Sequence, residues 1–293
     1  MDAVCRFRAA DGVELGYRRW RPRAERGMPL VLLHGAASNG TRWWHFVATT
    51  TLRHGHRLIR PDLRGHGLSL WRGPADMARW SDDLAELLDQ ERIPRAHIGG
   101  HCLGANLALH FAARHPGRCA GLVLIEPMVR SALVGTLARL RPLTPLLRLL
   151  VALLRGGNRL GLHRRHLRPL DLEALDRSVQ GAIGSSAMLR RYGSPWHDLR
   201  TLPSAQYLAN LLEVLRPLPL ARVRSPGLAV LSRGRLMADP ARTRAALAIL
   251  PGIEFVELDA RHWIPTEQPD AMRECIDAWV LAHDATQDSL APE

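Results

Sequence analysis

The residues best suited to chemistry are Gly100-His101-Cys102-Leu103-Gly104. A nucleophile elbow reads G-x-S-x-G, and a cysteine holds the central position here. A nucleophile at the apex of a sharp strand-to-helix turn sits in a strained backbone conformation. The residues two places away must have almost no side chain, or the turn closes on them. The flanks suit this arrangement, since Arg95 to Gly99 can form a short strand and Ala105 to His115 a good helix. The turn then sets Cys102 at a helix N-terminus, where the dipole favours a thiolate. The competing reading is a buried structural cysteine in a glycine-rich turn.

Three further segments could complete a site. His34-Gly35-Ala36-Ala37 follows a short apolar run, and a glycine-containing turn there can aim backbone N–H groups at a developing oxyanion. The two donors would be the N–H groups of Ala36 and Leu103. His262 lies in Asp259-Ala260-Arg261-His262-Trp263-Ile264-Pro265, ahead of a final helix, where a base can reach a nucleophile from the same sheet edge. Asp62-Leu63-Arg64-Gly65-His66-Gly67 reads as a structural turn that shapes the floor without carrying a proton.

The elements that must position these groups alternate. Val4 to Ala10 and Val13 to Trp20 read as strands joined at Asp11-Gly12. Leu30 to Leu33, Arg57 to Arg60 and Leu122 to Ile125 read as short buried strands. Thr41 to Arg53 and Met77 to Arg92 read as helices between them. From Pro127 to about Val223 the rhythm gives way to helices rich in Leu, Arg and Pro. There Leu146 to Leu154 is apolar around nearly its whole circumference, and a packed helix is the expectation. Strand and helix then resume at Pro226 to Leu231, after Asp239-Pro240, at Ile253 to Leu258, and from Gln268 to about His283. Such alternation predicts a mostly parallel sheet covered on both faces.

Composition narrows the setting. All forty basic residues are arginine, and the net charge is +12. Between Arg130 and Arg222 fifteen arginines face five acids, so this one region supplies most of the excess. A chain without lysine reflects a GC-rich genome more than a nucleic-acid partner, and none is expected. The four cysteines, Cys5, Cys102, Cys119 and Cys275, lack metal-type spacing, so no metal is expected. The N-terminus has no apolar run of the kind a signal peptide needs, and a cytoplasmic location is the expectation.

Taken in order, His34-Gly35, Asp62-Leu63-Arg64-Gly65-His66-Gly67, Gly100-His101-Cys102-Leu103-Gly104 and His262-Trp263 resemble the α/β-hydrolase superfamily. The likeness is to its members with a helical cap between the sixth and seventh strands, and it spans Val4 to about His283. It implies an eight-stranded, mostly parallel sheet with helices on both faces and no cofactor. The expected division is a core of residues 1–126 and 224–286, a cap of 127–223, and a flexible tail of 287–293. The resemblance also implies a Ser/Cys–His–acid triad, here Cys102 and His262 with an acid.

Two positions depart from the family pattern. The turn that usually carries the acid reads Ser232-Arg233-Gly234-Arg235, with Arg235 where the acid belongs. Asp239 is explained by its place before Pro240, as a helix N-cap. Glu126, in Leu124-Ile125-Glu126-Pro127, is the leading candidate, since some α/β-hydrolases carry the acid at that strand end. Asp239 is the alternative, and a dyad without an acid the third option. Arg261 stands where the family usually has glycine, and it could enter the site or pair with Glu126.

The function expected is a cysteine-nucleophile acyl hydrolase acting on an ester, thioester or lactone. Acyl transfer to an amine or alcohol is the runner-up, and a binding protein without catalysis the rival of another class. His34, Trp43, His101, Trp196 and Trp263 are expected to line the substrate pocket, with Trp44 and Tyr192 nearby. They suggest a small-molecule substrate with a sizeable apolar part. The arginine excess adds an anionic group on it. Contact of the cap with a membrane surface is the lesser expectation.

Overall fold

The computed structural model describes residues 2–179, 181 and 186–288. Eight strands form one sheet among them: β1 (Asp2–Arg8), β2 (Glu14–Trp20), β3 (Leu30–Leu33), β4 (Leu58–Pro61), β5 (Ala96–His101), β6 (Cys119–Ile125), β7 (Gly227–Ser232) and β8 (Ile253–Leu258). Their spatial order is β1-β2-β4-β3-β5-β6-β7-β8. The β1–β2 and β2–β4 pairs are antiparallel and all the others parallel. The central strands are fully buried and read as continuous apolar runs, as strands covered on both faces must.

Alternation along these strands divides the core in two. Val31 and Leu33 join Ile98, Leu122 and Leu124 on one face, with the helices α2 (Met77–Gln90) and α3 (Leu103–Arg114) nearby. Leu30 and Leu32 join Val123 and Ile125 on the other, against Trp43, Phe46, Ile276 and Trp279. This second face is covered by α1 (Trp44–Thr49) and the terminal helix. Each such side chain withdrawn from water contributes roughly 1.5–3 kcal/mol to folding.

Between β6 and β7 the chain forms six helices among the described residues: α4 (Gly135–Leu140), α5 (Thr144–Arg159), α6 (Leu172–Val179), α7 (Ser186–Tyr192), α8 (Pro195–Thr201) and α9 (Ser204–Val214). Then follow α10 (Pro240–Leu247), the single turn α11 (Ile264–Glu267) and α12 (Pro269–Asp288). The helix therefore continues past the start of the expected tail. Residues 289–293 lie outside the described residues.

The expectation of a packed helix holds for one face of α5 only: Val151 is buried, Leu147 packs against the core and the helix lies along α9, whereas Leu146, Leu149 and Leu153 are 60%, 57% and 64% exposed. They recur at helical spacing on one stripe, while Val151 on another face is buried. No helix among the described residues is long and apolar enough to cross a membrane.

Candidate active site

The loops that matter follow the C-terminal ends of β3, β5, β6 and β8, where ligands bind in open parallel sheets. Cys102 sits between β5 and α3 at φ 56° and ψ −115°. This region is costly for a residue with a Cβ and persists only where its surroundings enforce it. Both flanking glycines are required. A Cβ on Gly100 would lie 2.3 Å from the Gly104 carbonyl carbon, and one on Gly104 would lie 2.3 Å from the Leu33 oxygen. The backbone of the turn thus rests directly on the end of β3. Cys102 donates its own N–H to the Ile125 carbonyl at 2.9 Å, which ties the elbow to β6.

His262 is buried and its Nδ1 lies 3.2 Å from Glu126 Oε2. Burial opposes the imidazolium. Hydrogen bonds to Cys102 and Glu126 outweigh it and push the His262 pKa up to about 10. Glu126, just after β6, is itself at φ 49°. Its other oxygen accepts the Ser232 N–H at 2.5 Å, so the carboxylate is fixed from β7 while it faces the imidazole. A thiol, an imidazole and a carboxylate in this sequence can hold a thiolate–imidazolium pair and pass a proton to a departing group.

Asp239 is not brought to His262. It accepts the Arg242 N–H at 3.0 Å as the N-cap of α10, and it lies 3.6 Å from the exposed Arg235. Arg261 does not enter the site either. Its side chain is exposed, and its N–H is taken by Glu267.

Glu267, which the sequence reading passed over, organises the histidine loop. Its carboxylate accepts the N–H groups of Arg261, His262 and Trp263 at 3.1, 3.1 and 2.9 Å. The signal was present as an acid five residues beyond His262, on a short helix begun by Ile264-Pro265. A second missed pair lies on α9. Gln206 donates to Asn210 at 2.7 Å, and Asn210 donates to the Ala36 carbonyl at 2.5 Å. Two buried amides four residues apart on one helix face thereby fix the loop after β3. Neither the Ala36 nor the Leu103 N–H has a hydrogen-bond partner among the described residues.

A cavity of about 490 Å³ opens over Cys102 and His262. Ala36, His101 and Trp263 line it, with Tyr192 and Tyr207 from the inserted helices. His101 contacts the His262 carbonyl at 2.9 Å, and burial together with the neighbouring His262 drives its pKa well below the usual histidine range. It is therefore neutral and donates from Nε2.

Three expected lining residues lie elsewhere. Trp43 is wholly buried in the core against Phe46, because the 3₁₀ turn Gly40–Trp43 rotates it under the sheet and gives Arg42 to the cavity. His34 is buried behind the loop, where its Nε2 accepts the Leu63 N–H at 3.0 Å. Trp196 is 77% exposed, while Pro195 and His197 on either side of it line the cavity.

Two charged groups stand out in the cavity wall. Arg42 is paired with Asp176 of α6 at 3.1 Å and with Thr266 at 2.6 Å, so its charge is spent largely on joining α6 to the core. Asp198 of α8 has no ion pair or hydrogen bond to its carboxylate among the described residues, and burial pushes its pKa up to about 7. The Asp62–Gly67 segment is structural, as expected: Asp62 accepts the N–H groups of Gly40 and Leu68 at 2.6 and 2.7 Å.

Residues 28–269 match the family model described as alpha/beta hydrolase fold. The chain is 36% identical over 115 residues to Lipase LipV of Mycobacterium tuberculosis, covering 38% of this chain and 40% of that protein. It is also 36% identical over 103 residues to 2-hydroxymuconate semialdehyde hydrolase of Pseudomonas sp. strain CF600, covering 34% and 36%. These matches thus span two fifths or less of either relative. Among solved structures, the enol-lactonase from Burkholderia xenovorans LB400 superposes with a TM-score of 0.69 at 22% identity, covering 95% of this chain and all of that one. A thermophilic esterase from Thermogutta terrifontis gives 0.65 at 22% identity, covering 97% and 99%.

Proposed function

The chain belongs to the α/β-hydrolase fold family, and on that footing we propose that it is an acyl hydrolase whose nucleophile is Cys102. The observation that carries this reading is the line Cys102–His262–Glu126, whose first two members line the floor of a cavity, with the cysteine held at a positive φ. In this mechanism the Cys102 thiolate attacks the carbonyl carbon of an ester, thioester or lactone. The C–O or C–S bond to the leaving group breaks after the tetrahedral intermediate has formed. The N–H groups of Ala36 and Leu103, free of internal partners, serve as the oxyanion donors. His262, as the imidazolium, protonates the leaving group. The neutral imidazole then takes a proton from water, whose oxygen attacks the thioester. The acid departs and the thiolate–imidazolium pair is restored.

Helices α4 to α9 act in this reading as a cap over the site, spanning roughly residues 127–223. The apolar part of the substrate lies against Trp263 and the cap side chains. A thioester also yields to amines and alcohols, because thiolate is a good leaving group, so acyl transfer is the second reading.

The test is intact-protein mass after brief mixing with a panel of nitrophenyl esters, with Cys102→Ala alongside. The expected result is a mass gain equal to the acyl group, absent in the variant. Decay of that adduct in water, against decay with an added amine or alcohol, separates hydrolysis from transfer. No adduct and no nitrophenol release from any ester, with a thiol that alkylates no faster than free cysteine, would overturn the catalytic reading in favour of a binding role.

A further inference from the structure

A second cavity, of about 570 Å³, lies on the far side of α9 from the one over Cys102. Leu211 and Val214 of α9 face the first cavity, while Leu212, Glu213 and Leu215 face the second. Its character is set by five arginines: Arg130, Arg141, Arg148, Arg155 and Arg216. Arg148 and Arg155 are seven residues apart and so share one face of α5, opposite the exposed leucine stripe. The two carboxylates in the wall are already engaged. Glu213 holds Arg216 through two contacts, of 2.6 and 2.9 Å. Asp76 caps α2 by accepting the Arg79 N–H at 2.9 Å.

The other four arginines make no ion pair among the described residues. Arg130 has its Nε buried without a hydrogen-bond partner there. Burial lowers the Arg155 pKa even with Asp76 and Glu213 close by, which means the charge is only partly compensated. A concave wall with five guanidiniums against two carboxylates focuses positive potential into the cavity. Guanidinium forks match phosphate oxygens in pairs, and 570 Å³ is the size of a small-ligand pocket.

We propose that the cavity between α5 and α9 is a binding site for a small phosphate-bearing polyanion, separate from the site at Cys102. The site needs no bond to form or break, and it is independent of whether Cys102 is a nucleophile.

Isothermal titration calorimetry of the full chain with pyrophosphate, ATP and citrate tests this. The expected result is saturable one-to-one binding of pyrophosphate or ATP that weakens with added salt. The Arg148→Gln/Arg155→Gln double variant should weaken it at least tenfold, whereas Arg168→Gln, an exposed arginine of the same region outside the cavity, should leave it unchanged. Cys102→Ala should bind as the parent does, which separates this site from the proposed catalysis. Thermal unfolding of each variant verifies that it is folded. Equal weakening by Arg168→Gln, or no saturation at millimolar ligand, overturns the site in favour of diffuse surface charge. Citrate binding as tightly as pyrophosphate overturns the phosphate assignment.

Discussion

The sheet region and the helices inserted between β6 and β7 use the same residue types in opposite ways. In the sheet region arginine is structural. Arg64 is 1% exposed and paired with Asp11 at 2.8 Å and Asp83 at 2.6 Å, and these partners hold its pKa above the usual arginine range against burial. Leucine there fills the core, as in β3. In the insertion, Arg141, Arg148 and Arg155 line a cavity without ion pairs among the described residues, and Leu146, Leu149 and Leu153 of α5 face outward. The contrast teaches that the sheet region satisfies itself, whereas the insertion leaves both its charge and its apolar surface available to something else.

The largest expected effect tests that contrast with one residue type in two places. Arg64→Ala removes the most buried partner of Asp83 and leaves it Arg79 at 2.7 Å, which should cost about 2–3 kcal/mol of stability. Arg148→Ala should change it by less than about 0.5 kcal/mol. Urea denaturation of both variants checks this. Similar losses from the two would erase the distinction.

Glu126 behind His262 and Asp198 in the wall of the first cavity offer a second comparison. Glu126→Gln removes a partner of the His262 imidazolium. Activity toward a nitrophenyl ester should fall about 10²-fold, less than the ~10⁴ lost in a serine triad when its acid becomes an amide, because a thiolate leans less on the third member. The sign of the pH effect follows from the same removal. His262 titrates at about 10 in the parent, so the alkaline fall in kcat/KM should begin near there. Without the carboxylate the imidazolium is less stable, and that limb should move to lower pH. An unmoved limb would mean that Glu126 does not act through His262.

Asp198 should behave in reverse. Its folded pKa of about 7 lies above its unfolded value, so the folded state holds the proton more tightly. Stability is then lost as pH rises from about 4 to 7, since the native state is the one retaining protons across that window. Asp198→Asn removes the loss and should raise stability at pH 8 by about 1–2 kcal/mol, with little gain at pH 4. Melting curves at the two pH values decide it. A variant that melts lower at pH 8 would mean that the carboxylate has a partner in solution.

The limits of legibility follow the same division. Gly100 and Gly104 were readable because the turn admits no Cβ at either place, and that requirement is written in residue type alone. His262 was readable because the loops after the strand ends of a parallel sheet converge on one edge, and Glu126 because the resemblance to α/β-hydrolases includes members that carry the acid at that strand end. Trp43 and Trp196 were misread because nearness in sequence to a loop says nothing about facing it. One step along a helix rotates a side chain by about 100° or more, which is how Arg42 reached the cavity and Trp43 the core. Glu267 and Asn210 escaped notice because their work is to hold backbone groups, and no motif marks that. The exposed stripe of α5 was not legible because leucines around a helix satisfy the pattern of a packed one, and the pattern carries no information about which face meets a partner.

The smallest expected effect is therefore the sharpest probe of the insertion. Leu149→Gln and Leu153→Gln change two exposed side chains on one stripe of α5, and glutamine has nearly the helix propensity of leucine. If the stripe is solvated in the working protein, each change should alter stability by no more than about 0.5 kcal/mol, and the pair should add. Equilibrium unfolding at several protein concentrations measures both. A loss of about 2 kcal/mol or more per leucine that shrinks on dilution would mean that a second copy of the chain buries the stripe. The exposed face of α5 would then be half of a self-contact, and the insertion would be as self-sufficient as the sheet.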